Sequence, residues 1–453
     1  MAHTPVGSAI LRLALPTMLG MAVQVLYNLT DTFFIGLLRD TNLIAAVSLA
    51  TPLFMAIQAV GNIFAVGSAS YVSRKLGEGD FDEARHTTAV AFYSSIIVGV
   101  LLTGLMLAFK TPLLWGIGAS EATIAPTDAY FTVIAACGVL PVLQVSLAGL
   151  VRSEGATVKS TVGLVIGVVS NIVLDPIFIF ALDLGIAGAA WATIIGNAIG
   201  TGYYLLHFRS KKTLLSIRPR DFKPSARIYA QSLKIGLSSA VSTMIMGLSM
   251  VVANKLASQY GDAIVAGNGV QMRVNSVCIM LMIGMAQGYQ PFAGYNYGAK
   301  NYHRLISGLK TTMLYTTVLA CFFTLVFVLF GRQLITAFTD DPAVIKAGTR
   351  IIHAFCWGAP FIGMQMTLMT TFQASGKAVR AMLISLGRQC ILYFPLVLLL
   401  NQHFGFDGYI FAQPAADVLT TVAALLLSIS FIRELRARDL AQSCEAPQPQ
   451  PDL

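Results

Sequence analysis

The chain has 453 residues, 56% of them hydrophobic and only 11% charged, with a formal net charge of +9. Soluble domains carry about 25% charged residues, and in water this composition would expose large apolar patches, so a soluble globular class is excluded. The basic balance does not indicate nucleic acid, because Lys and Arg sit in short loops between apolar runs, as membrane topology demands.

A transmembrane helix needs about 20 apolar residues. In chain order, runs near 9–37, 43–73, 87–109, 122–151, 160–182 and 186–208 predict six spans, and runs near 229–254, 263–295, 305–330, 343–373, 381–400 and 408–432 predict six more. The opening run is too long for the core of a cleavable leader and no small-residue cleavage site follows it, so it is read as a span. Between the two sets lies a basic loop with Pro219 and Pro224, expected to be a solvated hinge. The division is therefore an N-lobe over 1–208, a cytoplasmic linker over 209–227, a C-lobe over 228–435 and a tail over 436–453. The tail ends in alternating Pro and Gln and is expected to be disordered.

Orientation follows from the connections. The N-terminus, the even-numbered loops and the tail hold most Lys and Arg, including Arg74, Lys75, Arg85, Arg152, Lys159 and the basic loop. The opposite side has only Arg39, Lys110, Lys255, Arg332 and Lys346, a bias of about fourfold that places both termini in the cytoplasm. The six cysteines form no Cys-x-x-Cys pair and the six histidines lack i, i+4 spacing; neither a disulfide framework nor a zinc site is indicated.

A shift of about 220 residues brings the halves into register. Gly77-Glu-Gly-Asp-Phe-Asp-Glu-Ala-Arg85 falls on Gly298-Ala-Lys-Asn-Tyr-His-Arg304, Arg152-Ser-Glu-Gly155 on Gln373-Ala-Ser-Gly376, and Gly185-Ile-Ala-Gly188 on Gly405-Phe-Asp-Gly408. Each half has an even number of spans, so both enter the membrane the same way round. The expected fold is an all-α integral membrane protein of two six-helix lobes, related by a pseudo-twofold axis along the membrane normal, with a V-shaped cleft between them. Two lobes that rock about a cleft suit alternating access. A clustered catalytic constellation is not visible, so an enzyme is not expected.

No phosphate-binding loop is present: Gly376-Lys377 is followed by Ala378 and lacks the upstream glycine. An ion gradient is then the remaining drive, and it requires ionisable residues inside spans. Asp31 lies in the first span and Asp175 in the fifth, where Asn171 and Asp175 are spaced i, i+4 and share a helix face. Pro176 cannot donate its amide, which frees a carbonyl near Ile172. Carboxylate, amide and carbonyl oxygens suit a hard cation such as Na+, and a buried carboxylate can equally carry a proton. Asp31 is near the outer end of its span, where an acid can also snorkel to the interface.

The second half lacks this pair: Asp31 corresponds to Ala253 or Asn254, and Asp175 to Leu396. It has instead Arg273, His353, Arg388 and Asp417. Asp417 is expected to form a structural ion pair with Arg273 or Arg388, and His353 to be a packed core histidine. Methionines and polar aromatics gather in the eighth span; Met282, Met285, Gln287 and Tyr289, with Asn28 of the first span, are candidates for a cleft that accepts varied apolar ligands.

Four stretches resemble the multidrug and toxic compound extrusion (MATE) family, and the resemblance covers nearly the whole chain. They are Asn28-Leu-Thr-Asp31-Thr-Phe-Phe-Ile-Gly36, Asn171-Ile-Val-Leu-Asp175-Pro176, Gly188-Ala-Ala-Trp-Ala-Thr193 and Gln287-Gly-Tyr-Gln-Pro291-Phe-Ala-Gly-Tyr-Asn296-Tyr-Gly298. The last is similar to the bacterial branch that includes staphylococcal-type exporters. The resemblance implies an antiporter that exports lipophilic organic cations, dyes and antibiotics for H+ or Na+, with Asp31, Asn171, Asp175 and Thr193 as its cation site and a Na+ ion as one candidate occupant. Family members that couple through the C-lobe use acids in spans 7 and 10; neither span has one here, which argues against a C-lobe site.

The expected cycle bends the first span near Pro16, with Pro176 as a second hinge, when the cation binds. The expected protein is a monomer of a bacterial inner membrane, without a cofactor and without nucleic acid. The rival reading is a flippase for a lipid or lipid-linked saccharide, for which Arg273 and Arg388 are the phosphate candidates.

Overall fold

The computed structural model describes residues 4–38, 41–118, 120–121, 123–210 and 213–445. The N-lobe comprises α1 (Val6–Gly36), α2 (Thr41–Asn62), α3 (Ala69–Glu78), α4 (Phe81–Ala108), α5 (Lys110–Gly116), α6 (Ile124–Ala136), α7 (Val139–Ser153), α8 (Thr157–Pro176) and α9 (Gly185–Arg209). The C-lobe comprises α10 (Ala226–Ala257), α11 (Asp262–Gly298), α12 (Tyr302–Thr336), α13 (Pro342–Phe355), α14 (Ala359–Ala374), α15 (Ala378–Leu386), α16 (Tyr393–Phe404) and α17 (Phe406–Glu445).

Several spans are composite. A π-helical turn at Ile63–Ser68 joins α2 to α3, another at Ile177–Ala181 extends α8 past Pro176, and a third at Gly387–Ile391 joins α15 to α16. The pairs α6–α7 and α13–α14 are each one span bent by 52° and 53°, at Gly138 and Gly358. Among the described residues, nine helices are long and apolar enough to cross a membrane and the two bent pairs make eleven. The twelfth is α9, whose 25 residues span the hydrocarbon at about 1.5 Å each although its glycines and tyrosines dilute its apolarity. The twelve spans form two lobes of six, as the sequence predicts.

The repeat is written in the backbone. Gly79 (φ 79°) and Lys300 (φ 55°) both turn left-handed at matched positions, as do Gly155 (φ 84°) and Gly376 (φ 75°), and Gly185 (φ 52°) and Gly405 (φ 57°). One residue past the first pair, Asp80 caps α4 by accepting from the Glu83 amide at 3.1 Å, and Asn301 caps α12 by accepting from the Arg304 amide at 3.2 Å.

Packing between lobes is concentrated at one end. Ala9, Ile10, Leu13 and Ala14 of α1 sit in a core with Tyr289 and Phe292 of α11, Phe372 of α14 and Phe431 of α17. A Cβ added at Gly288 would stand 2.4 Å from the Ala14 Cα, and one added at Gly298 would stand 2.0 Å from the Arg74 carbonyl; only glycine allows these backbones to meet. Buried Arg74 reaches across to Gln231 of α10, Nη2 to Oε1 3.5 Å. This end carries the N-terminus, the 79–80 and 299–301 turns and the end of α17, and is called the terminal face. Farther from it the cores belong to single lobes: Leu53, Phe131 and Ile194 in one, Tyr393, Tyr409 and Ile410 in the other.

Helix α1 is the exception, because its first half packs in the C-lobe core while its second half lies against α8 and α9. It runs unbroken through Pro16. Helix α17 continues to Glu445, so the tail expected to be disordered from 436 is helical for its first ten residues; residues 446–453 lie outside the described residues. The linker leaves α9 after Arg209 and forms one short turn at Pro219–Asp221 before α10.

Candidate functional site: a buried N-lobe carboxylate pair

Asn171, Asp175 and Thr193 converge inside the N-lobe, with exposures of 2%, 0% and 7%. The i, i+4 spacing on α8 aims Asn171 and Asp175 at the same face of α9, where Gly196 lets the two helices approach: a Cβ there would stand 2.5 Å from the Gly167 carbonyl. Asn171 Nδ2 donates to Asp175 Oδ1 at 3.4 Å and to Thr193 Oγ1 at 3.3 Å. The Thr193 hydroxyl donates to the Ala189 carbonyl at 3.0 Å. Two acceptors in this cluster, Asn171 Oδ1 and Asp175 Oδ2, are buried with no hydrogen-bond partner.

Asp31 enters from α1, half-buried, and lies within electrostatic reach of Asp175. No Lys or Arg among the described residues acts on either carboxylate. With both acids ionised the cluster therefore holds two neighbouring negative charges, one fully and one partly out of water, with no Lys or Arg among the described residues to offset them, which is an unfavourable state. A proton on one carboxylate or a cation among the oxygens relieves it, and the unpartnered Asn171 Oδ1 and Asp175 Oδ2 are the acceptors such a guest would use. The four residues that the family resemblance implied thus come together.

Two tyrosines complete the cluster. Tyr27 OH lies 3.4 Å from Thr193 Oγ1, and both Tyr27 and Tyr130 of α6 feel the charges of Asp31 and Asp175. Tyr27 stands i, i+4 from Asp31 and was readable from that spacing. Tyr130 lies on α6, where no acid or amide at i ± 3 or i ± 4 marks it.

The expected cleft residues do not stay together. Met282 (0%), Met285 (4%) and Tyr289 (0%) are packed in cores, so they line no open cleft here. The reason is that the second half of α11, residues 281–298, has no exposed residue. Gln287 is half-buried and Asn28 exposed. Among the described residues the exposed methionines are Met244, Met246 and Met250 of α10 and Met272 of α11. His353, expected in the core, is exposed at the end of α13, as is Arg273 on α11. Asp417 pairs with Arg388, Nε to Oδ1 2.7 Å.

Comparison with known proteins agrees with this architecture. The MatE family profile matches twice, over residues 16–177 and 238–399, once in each lobe. The multidrug export protein MepA of Staphylococcus aureus (strain MRSA252) is 27% identical over 442 residues, covering 98% of this chain and 97% of its own. A solved outward-facing conformation of a multidrug resistance MATE family transporter superposes with a TM-score of 0.92 at 26% identity, covering 96% of this chain and 97% of that one. A MATE crystal structure in the straight conformation gives the same TM-score and identity, covering 96% and 98%. With a matching repeat in each lobe and the same fold throughout, the chain belongs to the MatE family of multi-pass membrane transporters.

Proposed function

We propose that this transporter is a multidrug efflux antiporter that exports lipophilic organic cations, dyes and antibiotics among them, in exchange for H+ or Na+. The observation that carries the reading is the pair of buried Asp175 and half-buried Asp31, on which no Lys or Arg among the described residues acts, with Asp175 Oδ2 and Asn171 Oδ1 left unpartnered. Such a site is stable only when a mobile cation or proton occupies it. The names of the relatives, multidrug exporters, supply the substrate class.

The membrane of this reading is a bacterial inner membrane, and the charge bias in the loops supports a cytoplasmic side for the terminal face and both termini. Lobes packed together at that face then describe a state closed inward. Ion entry from outside neutralises the carboxylates, and the neutral cluster changes how α1 lies on α8 and α9. Because α1 also forms part of the C-lobe core, a change at its outer half is transmitted to the inter-lobe contact near Pro16 and Gly288. A ligand shifts the two states only by its differential affinity for them; competition of ion and drug for the same negative charge supplies that difference. A single chain contains both lobes, so a monomer suffices.

The test is ethidium movement in liposomes under an imposed proton gradient, then a sodium gradient, with Asp31→Asn and Asp175→Asn as controls. Transport that follows one gradient and is lost in both variants supports the antiporter and identifies its ion. Unchanged transport in the variants removes the N-lobe mechanism. No ethidium movement under either gradient favours the lipid flippase, a reading weakened by the engagement of Arg388 with Asp417.

A further inference from the structure

The C-lobe contains one fully buried acid, Asp417, and the repeat places it next to the counterpart of the N-lobe site. With Gly188 on Gly408, Thr193 corresponds to Gln413, which stands i, i+4 from Asp417 and shares its face. With Gly155 on Gly376, Gly167 corresponds to Arg388. In the N-lobe Gly167 lets α8 press against α9, and a Cβ there would stand 3.0 Å from the Gly196 carbonyl. In the C-lobe the same position carries a guanidinium, presented by the π-helical turn Gly387–Ile391.

The oxygen chemistry around it parallels that of the N-lobe. Asp417 Oδ1 accepts from Arg388 Nε at 2.7 Å and from Gln413 Nε2 at 3.2 Å. Gln365 Nε2 donates to the Asp417 carbonyl and to Thr421 Oγ1. Asp417 Oδ2 and Gln365 Oε1 are buried without partners, and Oδ2 faces the break between α13 and α14, 3.2 Å from where a Cβ on Gly358 would stand. A carboxylate, amides and a threonine hydroxyl thus recur, again with two unpartnered acceptors. The difference is charge: Arg388 is the charged group that acts on Asp417 among the described residues, whereas Asp31 and Asp175 have no such partner.

We propose that Arg388 is a tethered cation occupying a monovalent-cation site at Asp417, so that the C-lobe draws nothing from the ion gradient and coupling is confined to the N-lobe. The statement about coupling rests on the N-lobe reading above; the latent site does not. An ion pair with only a packing role would leave no cation site when the arginine is removed, because nothing would select for oxygens arranged around the freed carboxylate.

Arg388→Met keeps an apolar stem and frees Asp417. Purified full-length Arg388→Met and Arg388→Met/Asp417→Asn are compared by bound radioactive Na+ at pH 8 and by melting temperature against NaCl, choline chloride and pH. The expected result is about one further Na+ per chain in Arg388→Met, or a rise of several degrees on acidification in choline if the guest is a proton, both absent from the double variant. Arg388→Lys, which keeps a tethered ammonium, gains neither. Identical Na+ and pH responses in Arg388→Met and the double variant overturn the proposal. If Arg388→Met is unfolded in choline at pH 8, refolding by Na+ or acid supports the site, and failure of both overturns it. Both variants share an intact N-lobe, so a failure of the N-lobe reading, seen as unchanged ion binding in Asp31→Asn, leaves this difference intact.

Discussion

The Thr17 hydroxyl donates to the Gly284 carbonyl at 2.7 Å, joining α1 to α11 at the residue that follows Pro16. One turn along, Gly288 meets Ala14 backbone to backbone. These contacts hold the lobes together where α1 changes allegiance from the C-lobe core to the N-lobe site. A side chain at Gly288 overpacks that crossing, at a cost of about 1–3 kcal/mol. Gly288→Val is therefore expected to loosen the terminal face. Thr17→Val keeps the shape and loses one hydrogen bond, about 1 kcal/mol, so its effect is smaller. The measurement is maleimide labelling of a Ser73→Cys reporter, buried between the lobes with 1% exposure. Labelling should accelerate several-fold in Gly288→Val and less in Thr17→Val; equal rates in both and in the parent would show that this crossing does not hold the face shut.

Thr193 is the hub of the N-lobe cluster, touching Asn171, Tyr27 and the Ala189 carbonyl. Thr193→Val conserves volume but leaves Asn171 Nδ2 with only the longer bond to Asp175 Oδ1. The loss of a buried polar partner, about 1–2 kcal/mol, predicts an apparent affinity for the coupling ion about 5- to 30-fold weaker. Thr193→Ser retains the hydroxyl and should stay within about twofold of the parent. Transport measured against ion concentration separates the outcomes. A change in drug KM at saturating ion, with ion dependence unchanged, would place Thr193 with the drug instead.

Most of the architecture was legible because each lobe is built from apolar windows separated by glycine turns. The run at 186–208 was legible as a span despite its glycines and tyrosines, and the register between Gly185 and Gly405 agrees with α9. The site was legible where chemistry conflicts with surroundings: an acid inside an apolar run, as at Asp31, Asp175 and Asp417, announces itself. What failed was the choice of face. Along α11, apolar and small residues surround the helix, so nothing in the pattern tells that Met282 and Tyr289 point into cores. His353 ends an amphipathic helix and follows its polar side outward. The π-helical turns at Ile63, Ile177 and Gly387 leave no periodicity to read, yet one of them presents Arg388 to Asp417.

The linker is fastened by Glu154, whose side chain is 6% exposed. Glu154 Oε1 accepts from His207 Nε2 at 2.7 Å, while Oε2 accepts from the Thr213 hydroxyl at 2.8 Å and the Leu214 amide at 3.1 Å. Lys159 Nζ lies 3.3 Å from His207 Nδ1, which assigns the ring proton to Nε2. Glu154→Ala removes three acceptor contacts at once, and each donor left buried costs about 1–3 kcal/mol. Residues 213–215 should lose amide protection while α8 and α9 keep theirs. Hydrogen exchange on the purified protein reads this directly; unchanged protection at Leu214 would mean that the linker is held elsewhere.

Matched helix caps give a pH test of the repeat. Asp80 and Asn301 occupy corresponding positions and each accepts a backbone amide three residues on, but only Asp80 titrates. Partial burial opposes its ionisation, yet the Glu83 amide and the Lys75 ammonium, 3.1 Å away, outweigh that and hold its carboxyl below the usual carboxylate range. A depressed folded-state value means the contribution is complete above the unfolded value, about 3.9, and is lost as pH falls through the folded one. Asp80→Asn keeps a neutral cap of the kind Asn301 provides. Its melting temperature should lie below that of the parent at pH 7, and the two should converge as pH drops below about 4. Asn301→Ala should instead lower the melting temperature by an amount that varies little over the same range, since its lost cap, about 1 kcal/mol, involves no proton. A gap between Asp80→Asn and parent that persists to pH 3 would show that the Lys75 contact does not stabilise the charged cap.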